Sequence, residues 1–325
     1  MKAVLCKELG PAEKLVVEQV PSPKPAKGQV VVSVKACGVN FPDTLIIQGK
    51  YQFKPEPPFS PGGEVAGIVK ELGEGVTGVA VGDRVIAFST WGGYAEELAV
   101  DADRLIPMTP GMDFVSASAF ILTFGTSYHA LKDRAQMQPG ETLLVLGASG
   151  GVGIAAVQLG KVMGARVIAA ASSDEKLAVC KANGADELIN YATDDLRTRI
   201  KAITGGKGVN VIYDPVGGAY AEPALREMAW NGRFLVVGFA AGDIPKVPLN
   251  LTLLKGCSIV GVFWGSFTRN EAEKSRQNHQ DLMKMFTSGK VKPHIHATYP
   301  LEQAAQGLND VTYKRVSGKV VLVTE

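Results

Sequence analysis

The run Gly147-Ala148-Ser149-Gly150-Gly151-Val152-Gly153 carries the clearest chemistry in the chain. It follows an apolar run, 142–146, and opens an apolar helical stretch, 152–163. In the frame G-x-G-x-x-G, Ala148 takes the first position, Gly150 the second and Gly153 the third. The second glycine lets backbone approach a pyrophosphate, the third lets helix and strand pack closely, and the helix N-terminus favours an anion. Ser149, Gly150, Gly151, Val152 and Gly153 are therefore candidate dinucleotide ligands. An NAD site places Asp or Glu at the end of the second strand, where it holds the ribose 2′-hydroxyl. This chain has Ala170-Ala171-Ser172-Ser173 there, with Lys176 a helical turn later. Hydroxyls and a cation suit a 2′-phosphate, so NADPH is the expected cofactor. Two alternatives stay open: Ser173 as a helix N-cap beside a solvated Lys176, and Asp174 reaching the ribose if the strand ends later.

Other groups have matching chemistry. The Asn40 amide suits a substrate oxygen or a ribose hydroxyl, or an Asx turn at a strand end. Asp43 either orders a site or starts a helix. Phe239, and Phe263-Trp264-Gly265, lie beyond the carboxyl ends of strand-like runs, the edge where doubly wound sheets bind ligands. There they either wall a nicotinamide pocket or belong to the core. Lys314 and Arg315 either reach cofactor phosphates or are solvated.

These groups need a scaffold, and the pattern supplies two. Nine prolines fall before residue 62, which excludes a regular parallel sheet there because proline removes a ladder donor. The apolar runs 30–34, 65–69 and 84–87, separated by glycine turns, predict a loop-rich, twisted antiparallel β domain. From residue 124, strand candidates 142–146, 166–171, 187–189, 209–213, 232–237 and 257–262 alternate with helix candidates 152–163, 175–183, 195–203 and 219–229. That rhythm predicts right-handed βαβ units and a doubly wound parallel sheet, a Rossmann α/β architecture. Residues 268–288 read as one amphipathic helix and 319–323 as a short strand. The expected division is a catalytic domain over 1–123, a nucleotide-binding domain over 124–265, and a C-terminal segment, 266–325, that completes the first.

Composition excludes several classes. Lys plus Arg is 34 against 32 Asp plus Glu, so net charge near zero gives no case for nucleic acid or an anionic membrane. Hydrophobic residues at 46% supply sizeable cores and exclude a mostly disordered chain. The stretch 142–160 lacks charge, but its five glycines fit a strand, turn and buried helix better than a membrane span. The N-terminus has no signal-peptide core. The cysteines, Cys6, Cys37, Cys180 and Cys257, form no C-x-x-C pair and suit free thiols in a reducing cytoplasm.

The chain resembles the medium-chain dehydrogenase/reductases, and among them the zinc-free quinone oxidoreductase (zeta-crystallin-like) branch. The resemblance runs over nearly the whole length. It is carried by Ala36-Cys37-Gly38-Val39-Asn40-Phe41-Pro42-Asp43, Pro61-Gly62-Gly63-Glu64-Val65-Ala66-Gly67, Val81-Gly82-Asp83-Arg84-Val85, residues 123–131, the glycine loop, and Gly318-Lys319-Val320-Val321-Leu322. It implies a GroES-like catalytic domain split around the Rossmann domain, and a cleft where nicotinamide and substrate meet. It implies an active-site tyrosine at Tyr51, a cofactor contact at Thr126 in the Phe124-Gly125-Thr126 turn (a helix cap is the alternative), and a residue beside the ribose phosphate at Tyr191. It also implies a homodimer paired through 257–262.

Zinc-dependent relatives carry Cys and His where this chain has Asn40 and Phe41, and His where it has Gly63. Residues 90–115 lack the clustered cysteines of a structural zinc lobe, and the histidines, His294 and His296 included, are poorly placed as ligands. No zinc is expected. Without a Lewis acid for an alkoxide, reduction of an electron-poor acceptor is the easier chemistry. The expected activity is NADPH-dependent quinone reduction. Reduction of an enone or enoyl-thioester is one alternative, and a non-catalytic NADPH-binding role, crystallin-like or RNA-binding, is another.

Overall fold

The computed structural model describes residues 1–324. They form two compact units, Met1–Leu122 together with the chain from Pro293 onward, and Thr123–Lys292. In the first unit the strands are β1 (Lys2–Leu5), β2 (Val16–Gln19), β3 (Gln29–Val39), β4 (Glu64–Leu72), β5 (Arg84–Phe88), β6 (Glu97–Asp101) and β7 (Leu105–Pro107), with short helices α1 (Phe41–Ile46) and α2 (Phe114–Ala117). The valine runs read as strands form β3, β4 and β5. β3 pairs antiparallel with both β4 and β6. Its valines are buried along most of its length, in one core with Tyr94, Leu301 and Leu308.

The chain enters the second unit within α3 (Ile121–Tyr128), which runs on into a π-helical turn, His129–Arg134. Then come β8 (Thr142–Leu146), α4 (Gly151–Val162), β9 (Arg166–Ala171), α5 (Asp174–Ala182), β10 (Glu187–Asn190), α6 (Leu196–Thr204), β11 (Val209–Asp214), α7 (Ala221–Arg226), β12 (Met228–Val236), α8 (Asn250–Lys255), β13 (Ser258–Gly261), α9 (Trp264–Asn270) and α10 (Ala272–Thr287). The six strands are parallel, in the order β10-β9-β8-β11-β12-β13. This is the doubly wound order, with its switch point between β8 and β11. β8 and β9 are buried residue after residue rather than alternately, because helices cover both faces.

β14 (Ile295–Pro300), α11 (Ala304–Thr312) and β15 (Lys319–Val323) return to the first unit, whose seven-stranded sheet runs β14-β15-β3-β4-β5-β7 with β6 on β3.

Three readings need correction. The helix expected over 219–229 is a 3-10 turn, Gly218–Tyr220, followed by α7, and β12 begins at Met228, which pairs with Val209. The single helix over 268–288 is two, broken at Glu271 (φ −128°, ψ 51°). Trp264 and Phe267 of α9 are buried, as are Ser275, Asn278 and Leu282 of α10, and Glu271 between them is not helical. The return to the first unit comes at Pro293, and 266–292 stay with the second unit.

Candidate functional site

In the second unit, Gly150 caps α4 in an extended conformation with no side chain over its first turn. A Cβ at Gly153 would lie 2.4 Å from the Gly147 carbonyl oxygen, so helix and strand touch there and nothing larger fits. A Cβ at Gly150 would meet only that same oxygen, at 3.4 Å. The backbone is thus open where a phosphate would approach, and the α4 N–H groups face no competing cap. The first turn of α4 is held from α3: the Ser127 hydroxyl donates to the Val152 carbonyl at 2.9 Å and shares a 2.9 Å bond with the Tyr213 hydroxyl. Thr126, beside it, lies in the body of α3. The Phe124-Gly125-Thr126 segment is helix, not turn, and Gly125 lies under the buried Trp264 ring, 2.9 Å from where a Cβ would stand.

β9 ends at Ala171. Ser172 is exposed, and Ser173 caps α5 by accepting from the Lys176 N–H at 3.4 Å. The Lys176 ammonium turns back to the Ser172 hydroxyl at 3.3 Å. The cap reading of Ser173 and the pairing of hydroxyl with cation therefore coexist. Asp174 is already helical, and its carboxylate accepts from Asn190 at 2.9 Å. Tyr191 follows β10 with its ring 4.3 Å from that of Tyr220, and burial pushes its phenol up to about 12. Asp214, at the end of β11, accepts from the Val216 and Gly217 N–H groups at 2.8 Å each and shapes the next loop.

The first unit holds a buried polar network. Asn40 caps α1, and the Asp43 carboxylate accepts from the Asn40 N–H at 2.8 Å and from the Tyr94 hydroxyl at 3.1 Å. The Asn40 amide donates to the Gly38 carbonyl and to Glu64, at 3.2 Å each, and accepts from the Lys319 ammonium. Lys319 also donates to the Val39 carbonyl at 2.8 Å and lies 3.7 Å from Glu64. Glu64 in turn accepts from the Leu122 N–H at 2.8 Å. Glu64 is 0% exposed, Asp43 2% and Lys319 4%. Burial raises Asp43 to about 6 and pushes Glu64 up and Lys319 down, while the opposite charges counter each shift. Both Asn40 amide hydrogens are engaged, and its side-chain oxygen is held by Lys319 and by the capping box at the start of α1.

Tyr51 is half-buried on the loop after α1, packed on the core of the first unit with its ring 5.9 Å from Phe53. Burial, then the charge of Asp43, pushes its phenol up from the usual value. At Gly63 a Cβ would lie 2.8 Å from the Ser89 carbonyl oxygen, so no side chain, histidine included, fits without a backbone shift. Among the described residues no three His, Cys, Asp or Glu form a group that could hold a metal. His294 precedes β14 and His296 lies within it.

The aromatic candidates divide. Trp264 is core, packed on Gly125 with His279 6.2 Å away, and Gly265 follows it in α9. Phe239 and Phe263 are exposed, Phe239 over Gly217. Lys314 has φ +56°, and Arg315 stacks on Tyr313 at 5.1 Å near Asp310. Sequence reasoning missed Lys319, Tyr94, Asp214 and Tyr220 as site residues. Only Asp214 carried a signal, an acid at a strand end before Pro-Val-Gly. No helix among the described residues is long and apolar enough to cross a membrane.

Residues 26–110 match the alcohol dehydrogenase GroES-like domain family, and residues 151–281 match the zinc-binding dehydrogenase family. The quinone oxidoreductase-like protein 2 homolog of Nematostella vectensis is 40% identical over 328 residues, covering 100% of this chain and 89% of its own. The quinone oxidoreductase of Rattus norvegicus is 37% identical, covering 99% and 98%. The Escherichia coli quinone oxidoreductase complexed with NADPH superposes with a TM-score of 0.93 at 29% identity, covering 99% and 100%. Such identity over nearly the whole chain means that it is an oxidoreductase and belongs to the quinone oxidoreductases of the medium-chain dehydrogenase/reductase superfamily.

Proposed function

We propose that the enzyme uses NADPH to reduce quinones, without zinc. The observation that carries this reading is the corner after β9, where Ser172 and Lys176 stand together and the nearby acid is engaged elsewhere. Relatives named as quinone oxidoreductases, and a similar structure complexed with NADPH, support it. Bound NADPH supplies a hydride, and the protein supplies position and electrostatics. The backbone of Gly150–Gly153 takes the pyrophosphate on the α4 dipole. Ser172, Lys176 and Tyr191 take the 2′-phosphate, and Thr126, Phe239 and Phe263 line the nicotinamide side. Asp43 and Asn40 hold the start of α1 and so position the chain leading to Tyr51, whose phenol gives a proton to the reduced quinone oxygen. Asn40 and Gly63 at the positions where zinc-dependent relatives carry ligands support zinc independence.

NADPH oxidation is the direct test, run with NADH in parallel, on an ortho-quinone and a simple enone, with chelator present. Quinone turnover preferring NADPH and indifferent to chelator is expected. Turnover of the enone alone would transfer the assignment to enone or enoyl-thioester reduction. Loss with chelator would overturn zinc independence, and binding without turnover on either acceptor would favour a binding role. Tyr51→Phe is expected to lower kcat on the order of a hundredfold with NADPH affinity unchanged; unchanged turnover removes Tyr51 from the proton step.

The partner we propose is a second copy of the chain, with no nucleic acid. β13 is the edge of its sheet, and Trp230, Leu253 and Leu254 nearby in the chain are 73%, 78% and 67% exposed. Light scattering is expected to give twice the chain mass, falling to one chain mass in Ile259→Lys. The four cysteines, all free thiols, support a reducing cytoplasm as the compartment.

A further inference from the structure

β9 and β10 end side by side, with Asn190, the last residue of β10, in register with Ala171, the last of β9. The Asn190 side chain is fixed at both ends. Its oxygen accepts from the Ala192 N–H at 3.2 Å, which closes the turn carrying Tyr191. Its nitrogen donates to the Asp174 carboxylate at 2.9 Å. Asp174 stands two residues beyond Ser172. The other acid of that turn, Glu175, is tied to the Ser173 hydroxyl.

We propose that Asn190 sets the cofactor preference by holding the Asp174 carboxylate at the end of β10, clear of the Ser172–Lys176 corner. The inference rests on the NADPH reading above. A 2′-phosphate brings close to two negative charges, and a carboxylate free to swing beside it would repel it. The same carboxylate would accept from a bare ribose 2′-hydroxyl, as the acid of an NAD site does. One neutral amide thus lets the chain carry an acid at this corner without the selectivity that acid would otherwise impose. The bond at the oxygen end of Asn190 favours the orientation that aims its nitrogen at Asp174. Asn190 acts through Asp174 and is a positioning residue.

The test is calorimetric binding of adenosine 2′,5′-bisphosphate and adenosine 5′-monophosphate to the full-length protein, which needs no turnover. The wild type is expected to prefer the bisphosphate. In Asn190→Ala the ratio of the two affinities is expected to fall about threefold to tenfold, the scale of one like charge about 4 Å away in water. In Asn190→Ala/Asp174→Ala the wild-type ratio is expected to return, because the released charge is gone. An unchanged ratio in Asn190→Ala overturns the inference. An equal fall with and without Asp174 also overturns it, since the effect would then run through the Tyr191 turn. A wild type with no preference for the bisphosphate overturns the cofactor reading itself, and the inference with it.

Discussion

Lys319→Met is expected to lower the free energy of unfolding by about 3–5 kcal/mol, because it leaves the Glu64 carboxylate buried without its cation. Glu64 is wholly buried and its remaining partners, the Leu122 N–H and the Asn40 amide, are neutral donors. The loss should depend on pH. In the wild type burial already raises the Glu64 carboxyl and Lys319 pulls it back; without the lysine it rises further. A carboxyl raised in the folded state binds its proton more tightly there than in the unfolded chain. Its destabilising effect is therefore largest above the folded-state value and fades as pH falls through it. Urea unfolding at alkaline and at mildly acidic pH checks this, and Glu64→Gln in the Lys319→Met background is expected to recover part of the loss at the higher pH. A loss below about 1 kcal/mol, the scale of an exposed pair, would show that the pair is not buried in solution.

Gly153→Val is expected to weaken NADPH binding by at least about tenfold and to lower stability by about 1–3 kcal/mol, the usual scale of overpacking. The new Cβ would stand 2.4 Å from the Gly147 oxygen and 2.8 Å from the Ala148 backbone, groups that cannot rotate aside. Helix α4 must move off the end of β8, and its N–H groups move with it. Gly150→Ala separates the two effects. Its Cβ meets nothing nearer than 3.4 Å, so stability should hold while nucleotide affinity falls. Fluorescence titration with NADPH and thermal unfolding of both variants without nucleotide check the pair. Normal affinity in Gly150→Ala would mean that the phosphate does not lie against this loop.

The two variants differ in where their reasons reside. The glycine loop was legible because everything that makes it work is local: an apolar strand, a tight turn and a helix start within a dozen residues. The central strands β8 and β9 were legible for a related reason, since burial on both faces writes a continuous apolar run into each. Element ends were less so. Helix α7 stops before Met228, which pairs with Val209, and the break at Glu271 falls between buried residues of α9 and of α10. Neither the pairing nor the burial is present in the local pattern.

By itself the sequence determined the fold class, the glycine loop and the pairing of Ser172 with Lys176, because periodicity and glycine spacing are short-range properties of the chain. Tertiary structure alone decided the rest. Lys319 reaches Asn40 from 279 positions away, as β15 is laid beside β3. Tyr94 reaches Asp43 across a buried core, and Asn190 meets Asp174 only because β9 and β10 are neighbours in register. In each case the sequence holds a polar residue whose type admits many roles. The role is chosen by which partner the sheet brings within hydrogen-bond reach, and by how completely the core excludes water from the pair.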